Sequence, residues 1–146
     1  MKKPTDDLSP EPEGRVVAEL DLRGGGLWMI GSLSATRYFL DLDRWLLLRA
    51  PGPGSPTGPF DNCWVALTGV EDAERDFPDS LTHTVRVGRR HRYHLDPRPG
   101  DIGSPTRWWL QRTVTIIQAV SADRRPTGRL PASDEDAVRY HYPATP

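Results

Sequence analysis

Along most of this chain apolar and polar residues alternate with a period of two, the spacing of β-strands whose successive side chains point to opposite faces. The densest apolar block, residues 27–50 (LWMIGSLSATRYFLDLDRWLLLRA), reads as three short strands at 27–30, 36–42 and 45–49. A polar turn at 31–35 separates the first two, and Asp43-Arg44 turns the chain again. In the middle strand Tyr38, Leu40 and Leu42 share one face; Arg37, Phe39 and Asp41 share the other. The run Trp45-Leu46-Leu47-Leu48 is apolar on both faces, which predicts a strand covered on both sides. A helix over 37–49 is the competing reading, but the flanking turn residues, the aromatic content and the short length favour strands.

Residues 15–22 predict an earlier strand, with Val16, Ala18, Leu20 and Leu22 on one face; Gly24-Gly25-Gly26 breaks it. Residues 51–62 hold four prolines and three glycines and form a loop, long enough to be either functional or simply mobile. Residues 63–68 read as a strand and 71–79 as at most one helical turn. Residues 81–87 and 91–95 read as a hairpin around Gly88-Arg89-Arg90, with Leu81, His83, Val85 and Val87 on one face. After a Pro/Gly loop at 96–105 comes the longest strand-like run, 106–120. Here Trp108, Leu110, Val114 and Ile116 mark an apolar face and Arg107, Trp109, Gln111 and Thr113 a polar one. Fifteen strand residues would span about 50 Å, so a bend or bulge is expected near Gln111-Arg112. Residues 122–133 are polar loop, and Ser133 before Asp134-Glu135-Asp136 caps one or two helical turns or begins a frayed tail.

The expected fold is therefore mostly β. It is a single domain of seven to nine short antiparallel strands, arranged as a small barrel or two packed sheets with little helix. The domain would occupy 15–122. Residues 1–14, charged and proline-rich, make a flexible N-terminal tail, and 123–146 a polar C-terminal one. The length of 146 residues suffices for one core.

Charge changes this picture. The chain carries a net −1, but residues 1–79 hold 8 basic and 14 acidic residues while 86–129 hold 10 basic and 3 acidic. Segments of opposite sign either expose a basic surface or pair with each other. Cys63 is the single cysteine, so no intramolecular disulfide forms. Lys2-Lys3 is not followed by the apolar stretch of a signal peptide, and no window approaches 18 apolar residues. A cytoplasmic protein with no membrane partner is the default expectation.

Catalytic and metal-binding motifs are weak. His91 and His94 are three apart and point to opposite faces of a strand; His83, alone on an apolar face, reads as a core residue; no cofactor or metal is expected. Asp41 and Asp43 form a same-side carboxylate pair, but Asp43-Arg44 reads first as a turn. Ser32 and Ser34 lack the nucleophile-elbow spacing, the glycines match no phosphate-binding loop, and Cys63 beside Trp64 reads as core. The one coherent surface is basic. It combines Arg86, Arg89, Arg90, Arg92 and His94 on the hairpin with Arg107, Trp109 and Gln111 on the long strand. Such a face suits an acidic protein partner or single-stranded nucleic acid.

The run Ser32-x-Ser34-x-x-x-Tyr38-x-Leu40-Asp41-Leu42-Asp43 leads into an apolar strand ending in Arg49. Val87-Gly88 and Thr106-Arg107 follow in order. This pattern, over residues 27–120, resembles small uncharacterised actinobacterial and actinophage β-rich proteins. The resemblance implies a compact β-rich fold and a phage- or mobile-element-related origin, and no chemistry. The functional expectation is a non-enzymatic protein-interaction module, binding a protein partner or itself. The alternatives are a nucleic-acid-binding β-domain using the Arg/Trp face, and a small enzyme with Asp41 and Asp43 as its carboxylate site.

Overall fold

A computed structural model describes residues 14–75, 81–97 and 107–129. Its strands, in chain order, are β1 (Val16–Val17), β2 (Glu19–Asp21), β3 (Leu27–Ser32), β4 (Arg37–Asp41), β5 (Leu46–Ala50), β6 (Val65–Asp72), β7 (Thr84–Arg86), β8 (His91–Asp96), β9 (Arg107–Leu110) and β10 (Val114–Ala119). Two single 3-10 turns, Leu22–Gly24 and Ala122–Arg124, are the helical elements among the described residues. The expected tails up to residue 13 and beyond 129, the helical turn past 75 and most of the 96–105 loop lie outside them.

The block 27–50 folds as the predicted meander. β3, β4 and β5 pair antiparallel, with Trp28 opposite Leu40 and Leu40 opposite Leu47, so the inward sets stack in register. The full sheet runs β1-β10-β3-β4-β5-β6-β8-β9, every ladder antiparallel. The end strand β9 and β10, which lies next to the other end strand β1, belong to one stretch of chain, joined by residues 111–113. Backbone bonds fasten that bend to the start of β8: Gln111 N–H to the His91 carbonyl (3.0 Å) and Val114 N–H to the Arg89 carbonyl (2.9 Å). No ladder joins β9 to β1, so the sheet curls around its core without closing into a barrel.

The core is the inner face of this curl. Ile30, Leu40, Leu47, Tyr93, Leu95 and Ile117 are fully sealed in it. β2 and β7 form a separate two-stranded sheet in which Leu20 faces Val85, and both join the core. The hairpin predicted between 81–87 and 91–95 is absent. β7 pairs with β2, while β8 sits between β6 and β9. Pairing β7 with β2 buries Leu20 and Val85 together, whereas His83, placed by alternation among core positions, is exposed.

Among the described residues there are ten strands against the expected seven to nine, because two predicted strands each divide. The first breaks at Ala18, so that Val17 reaches β10 and Leu20 reaches β7. The long run breaks at 111–113 where a bend was expected, with a second irregularity between Val114 and Ile116. The double apolarity of β5 also has its cause. Leu47 faces the core, and Leu48, on the outer face, is covered by residues 126–128. Trp64 Nε1–H donates to the Pro126 carbonyl (2.9 Å), and Arg129 N–H to that of Asn62 (2.7 Å). This segment, read from sequence as polar tail, is a strap docked on the sheet.

Candidate functional site

The basic segment meets the acidic first half of the chain. Arg86 pairs with Glu19 (3.4 Å), Arg89 with Asp72 (2.9 Å), and Arg90 with Glu74 (3.4 Å). Arg92 and His94 share one Glu71 oxygen at 2.9 and 3.0 Å. Arg107 is half-buried on β9 opposite Leu95. Trp109 and Gln111, expected on the polar face, are each 1 % exposed and point into the core. The outward tryptophan is Trp108, with the Arg92 guanidinium 4.6 Å over its ring. The eight residues therefore make no single open face.

The carboxylates of the enzymatic alternative have structural partners. Asp41 is buried and bound to Arg44 (3.0 Å) and Arg125 (3.2 Å). Asp43 accepts the Gly26 N–H (3.1 Å) and pins the glycine loop. Among the described residues no three His, Cys, Asp or Glu side chains converge as a metal would require.

A different site lies where β3, β5 and β9 end and β4 begins. It is a half-open cavity of about 410 Å³. Its walls are the turn 32–36, the loop 51–62 and the bend after Leu110. Short polar residues build the first wall. Ser32 Oγ accepts the Ser34 N–H and Ser34 Oγ the Thr36 N–H, each at 3.1 Å, the local bonding that favours serine in turns. Thr36 Oγ1 then accepts the Gly52 N–H (3.2 Å) and donates to Ser55 Oγ (2.6 Å), fixing the loop to the turn. Only glycine fits at 52, because a Cβ there would lie 2.5 Å from the Ala35 Cβ and 2.6 Å from its carbonyl oxygen.

Three polar side chains form the floor: Tyr38 (2 % exposed), Arg49 (6 %) and Gln111. Arg49 Nη1 bonds both Asp61 oxygens at 2.9 Å and the Pro56 carbonyl at 3.2 Å. Its Nε donates to Tyr38 Oη at 3.3 Å. Asp61 Oδ2 also accepts the Gly58 N–H (2.8 Å), so one carboxylate holds both loop and guanidinium. Gln111 accepts from Tyr93 Oη (2.6 Å) and donates to the Ile30 carbonyl (3.0 Å). Burial pushes the Tyr38 hydroxyl up to about 12, against the pull of Arg49, so it stays a protonated donor. Cavity mouths at the ends of curled sheets are ordinary places for binding sites. Of the serine hydroxyls lining this one, Ser32 and Ser34 Oγ accept backbone N–H groups and Ser55 Oγ accepts from Thr36.

Sequence reasoning passed over Tyr38 and Arg49. The signal was present: Arg49 shares parity with Leu47, so a charge sits on the core-facing set of an apolar strand, which requires a buried partner. No protein-family model matches the chain, and no curated protein or solved structure does either.

Proposed function

We propose that this chain is a non-enzymatic protein-interaction module and that the polar mouth between turn 32–36, loop 51–62 and residues 110–112 is where the partner docks. One observation carries this reading: a nine-tenths-buried arginine, Arg49, is held on the floor of a cavity with part of its donor set unused. A buried charge of this kind is costly unless it is paired and hydrogen-bonded, and the site keeps it poised where a partner reaches it. Leu33, 70 % exposed on the rim, adds an apolar contact of the sort interfaces use.

The ion pairing of Arg86, Arg89, Arg90, Arg92 and His94 favours the protein-interaction reading over a nucleic-acid one, which needs an open positive face. A photo-cross-linking residue placed at Leu33 tests the proposal in cells. A defined adduct with one partner, or with a second copy, is expected from position 33 and not from Val16, which pairs near the far end of β10. Equal labelling from both positions, or none from 33, overturns it.

A further inference from the structure

We infer that the mouth recognises a carboxylate, carried on an acidic side chain of the protein partner; this rests on the reading that the mouth is the docking site. The unused groups on its floor are donors. A guanidinium has five N–H groups, and the bonds of Arg49 run from Nε and Nη1 alone. The two N–H groups of Nη2 have no acceptor among the described residues. Arg49 lines the cavity, and the sealed polar atoms without a partner among the described residues, His91 Nδ1 and Arg92 Nε, do not include its Nη2. Tyr38 Oη accepts from Nε, which leaves its own proton to give. Gln111 Nε2 has a second N–H beyond the one spent on Ile30.

The side-chain acceptors nearby each already hold a donor. Ser32 and Ser34 Oγ hold backbone N–H groups, and Asp61 holds Arg49 and Gly58. The free groups of the floor therefore favour a ligand that brings oxygens. Charge narrows the class further. Asp61 offsets Arg49, and Arg112, exposed on the rim, has no ion pair among the described residues. One net positive charge matches a monoanion, and hydrogen bonds from a guanidinium to a carboxylate are among the strong ones. A lone small acid would fill only the floor of a cavity of about 410 Å³. An acidic side chain on an extended segment fills it, with an apolar neighbour resting on Leu33.

The test is a nuclear magnetic resonance titration of the labelled protein. The probes are the capped peptide acetyl-Leu-Glu-Leu-amide, its glutamine counterpart and sodium acetate. The glutamate peptide is expected to shift the amides of Ser34, Gly52 and Gln111 and to bind at least tenfold more tightly than the glutamine peptide. Tyr38→Phe and Arg112→Ala, each with an otherwise unchanged spectrum, should shrink that preference several-fold. Equal binding of the two peptides at the mouth overturns the carboxylate inference and leaves the docking reading standing. Acetate binding as tightly as the glutamate peptide overturns the peptide source. No shift at the mouth with any probe removes both readings.

Discussion

Arg49 Nη1 lies 2.9 Å from both carboxylate oxygens of Asp61, and neither side chain is more than 7 % exposed. The pair ties the inner wall of the sheet to loop 51–62, twelve residues on. It gives a loop with four prolines and three glycines a fixed position, and it sets the floor of the mouth.

Breaking this pair on one side should cost more than removing it whole. Asp61→Asn leaves the Arg49 charge buried with half its partner, an expected loss of about 3–5 kcal/mol in urea unfolding. The double variant Arg49→Met, Asp61→Leu should recover most of that stability. A double variant no more stable than Asp61→Asn would show that the pair is not an isolated unit.

Gly52→Ala should open the mouth. Its Cβ meets the backbone of Ala35, which cannot swing aside as a flexible side-chain tip does. A loss of about 1–3 kcal/mol is expected, together with altered amide resonances at Ser34 and Thr36. Gly24→Ala, with open space around the new methyl, is the control and should leave both unchanged.

The two neighbouring tryptophans should behave in opposite ways. Trp109 packs edge-on against Tyr38 at 6.1 Å in the core, so Trp109→Ala should cost about 3–5 kcal/mol. Trp108, outside and stacked with Arg92, should cost under about 1 kcal/mol as Trp108→Ala. Denaturant midpoints at matched slope decide this.

Acid should weaken the fold through His91. Burial pushes its pKa down from 6.5 to about 4, with Asp72 and Glu74 pulling upward and Arg89 and Arg86 downward. The unfolded chain thus binds more protons between these values. The contribution is whole above about pH 6.5 and drains away as pH falls towards 4, on the order of 3 kcal/mol in all. His91→Gln should flatten the stability profile over that window. Glu71 acts lower. Burial raises its carboxyl, but the hydrogen bonds from Arg92 and His94 outweigh this and hold it below its ordinary 4.5. Its contribution is present above that value and is lost as pH falls through the depressed folded pKa.

An oligonucleotide titration at low ionic strength should show no binding with a steep salt dependence, because the arginines of β7, β8 and the segment between them already face carboxylates. Tight binding that collapses between about 50 and 200 mM salt would contradict this.

Local pattern was enough to read the meander. Alternation over 27–50 placed three strands and their turns, because side chains along a strand obey a period of two whatever surrounds them. The double apolarity of 46–48 announced a second cover without naming it. Alternation failed at Trp108 and Trp109. Both are apolar, and parity counted back from Val114 and Ile116 crosses a bulge and a bend, each of which shifts it. The candidate site was harder still. Its floor takes Tyr38, Arg49 and Gln111 from three places in the chain and its anchor, Asp61, from a fourth.

By itself, then, the sequence determined the β character of the chain, the 27–50 meander and the need for a bend near 111. The tertiary structure alone decided which face turned inward, that β7 would pair with β2 and not with β8, and how the basic and acidic segments met. The reason is physical. Strand periodicity is a property of neighbouring residues, whereas burial, register and charge pairing depend on groups brought together from distant parts of the chain.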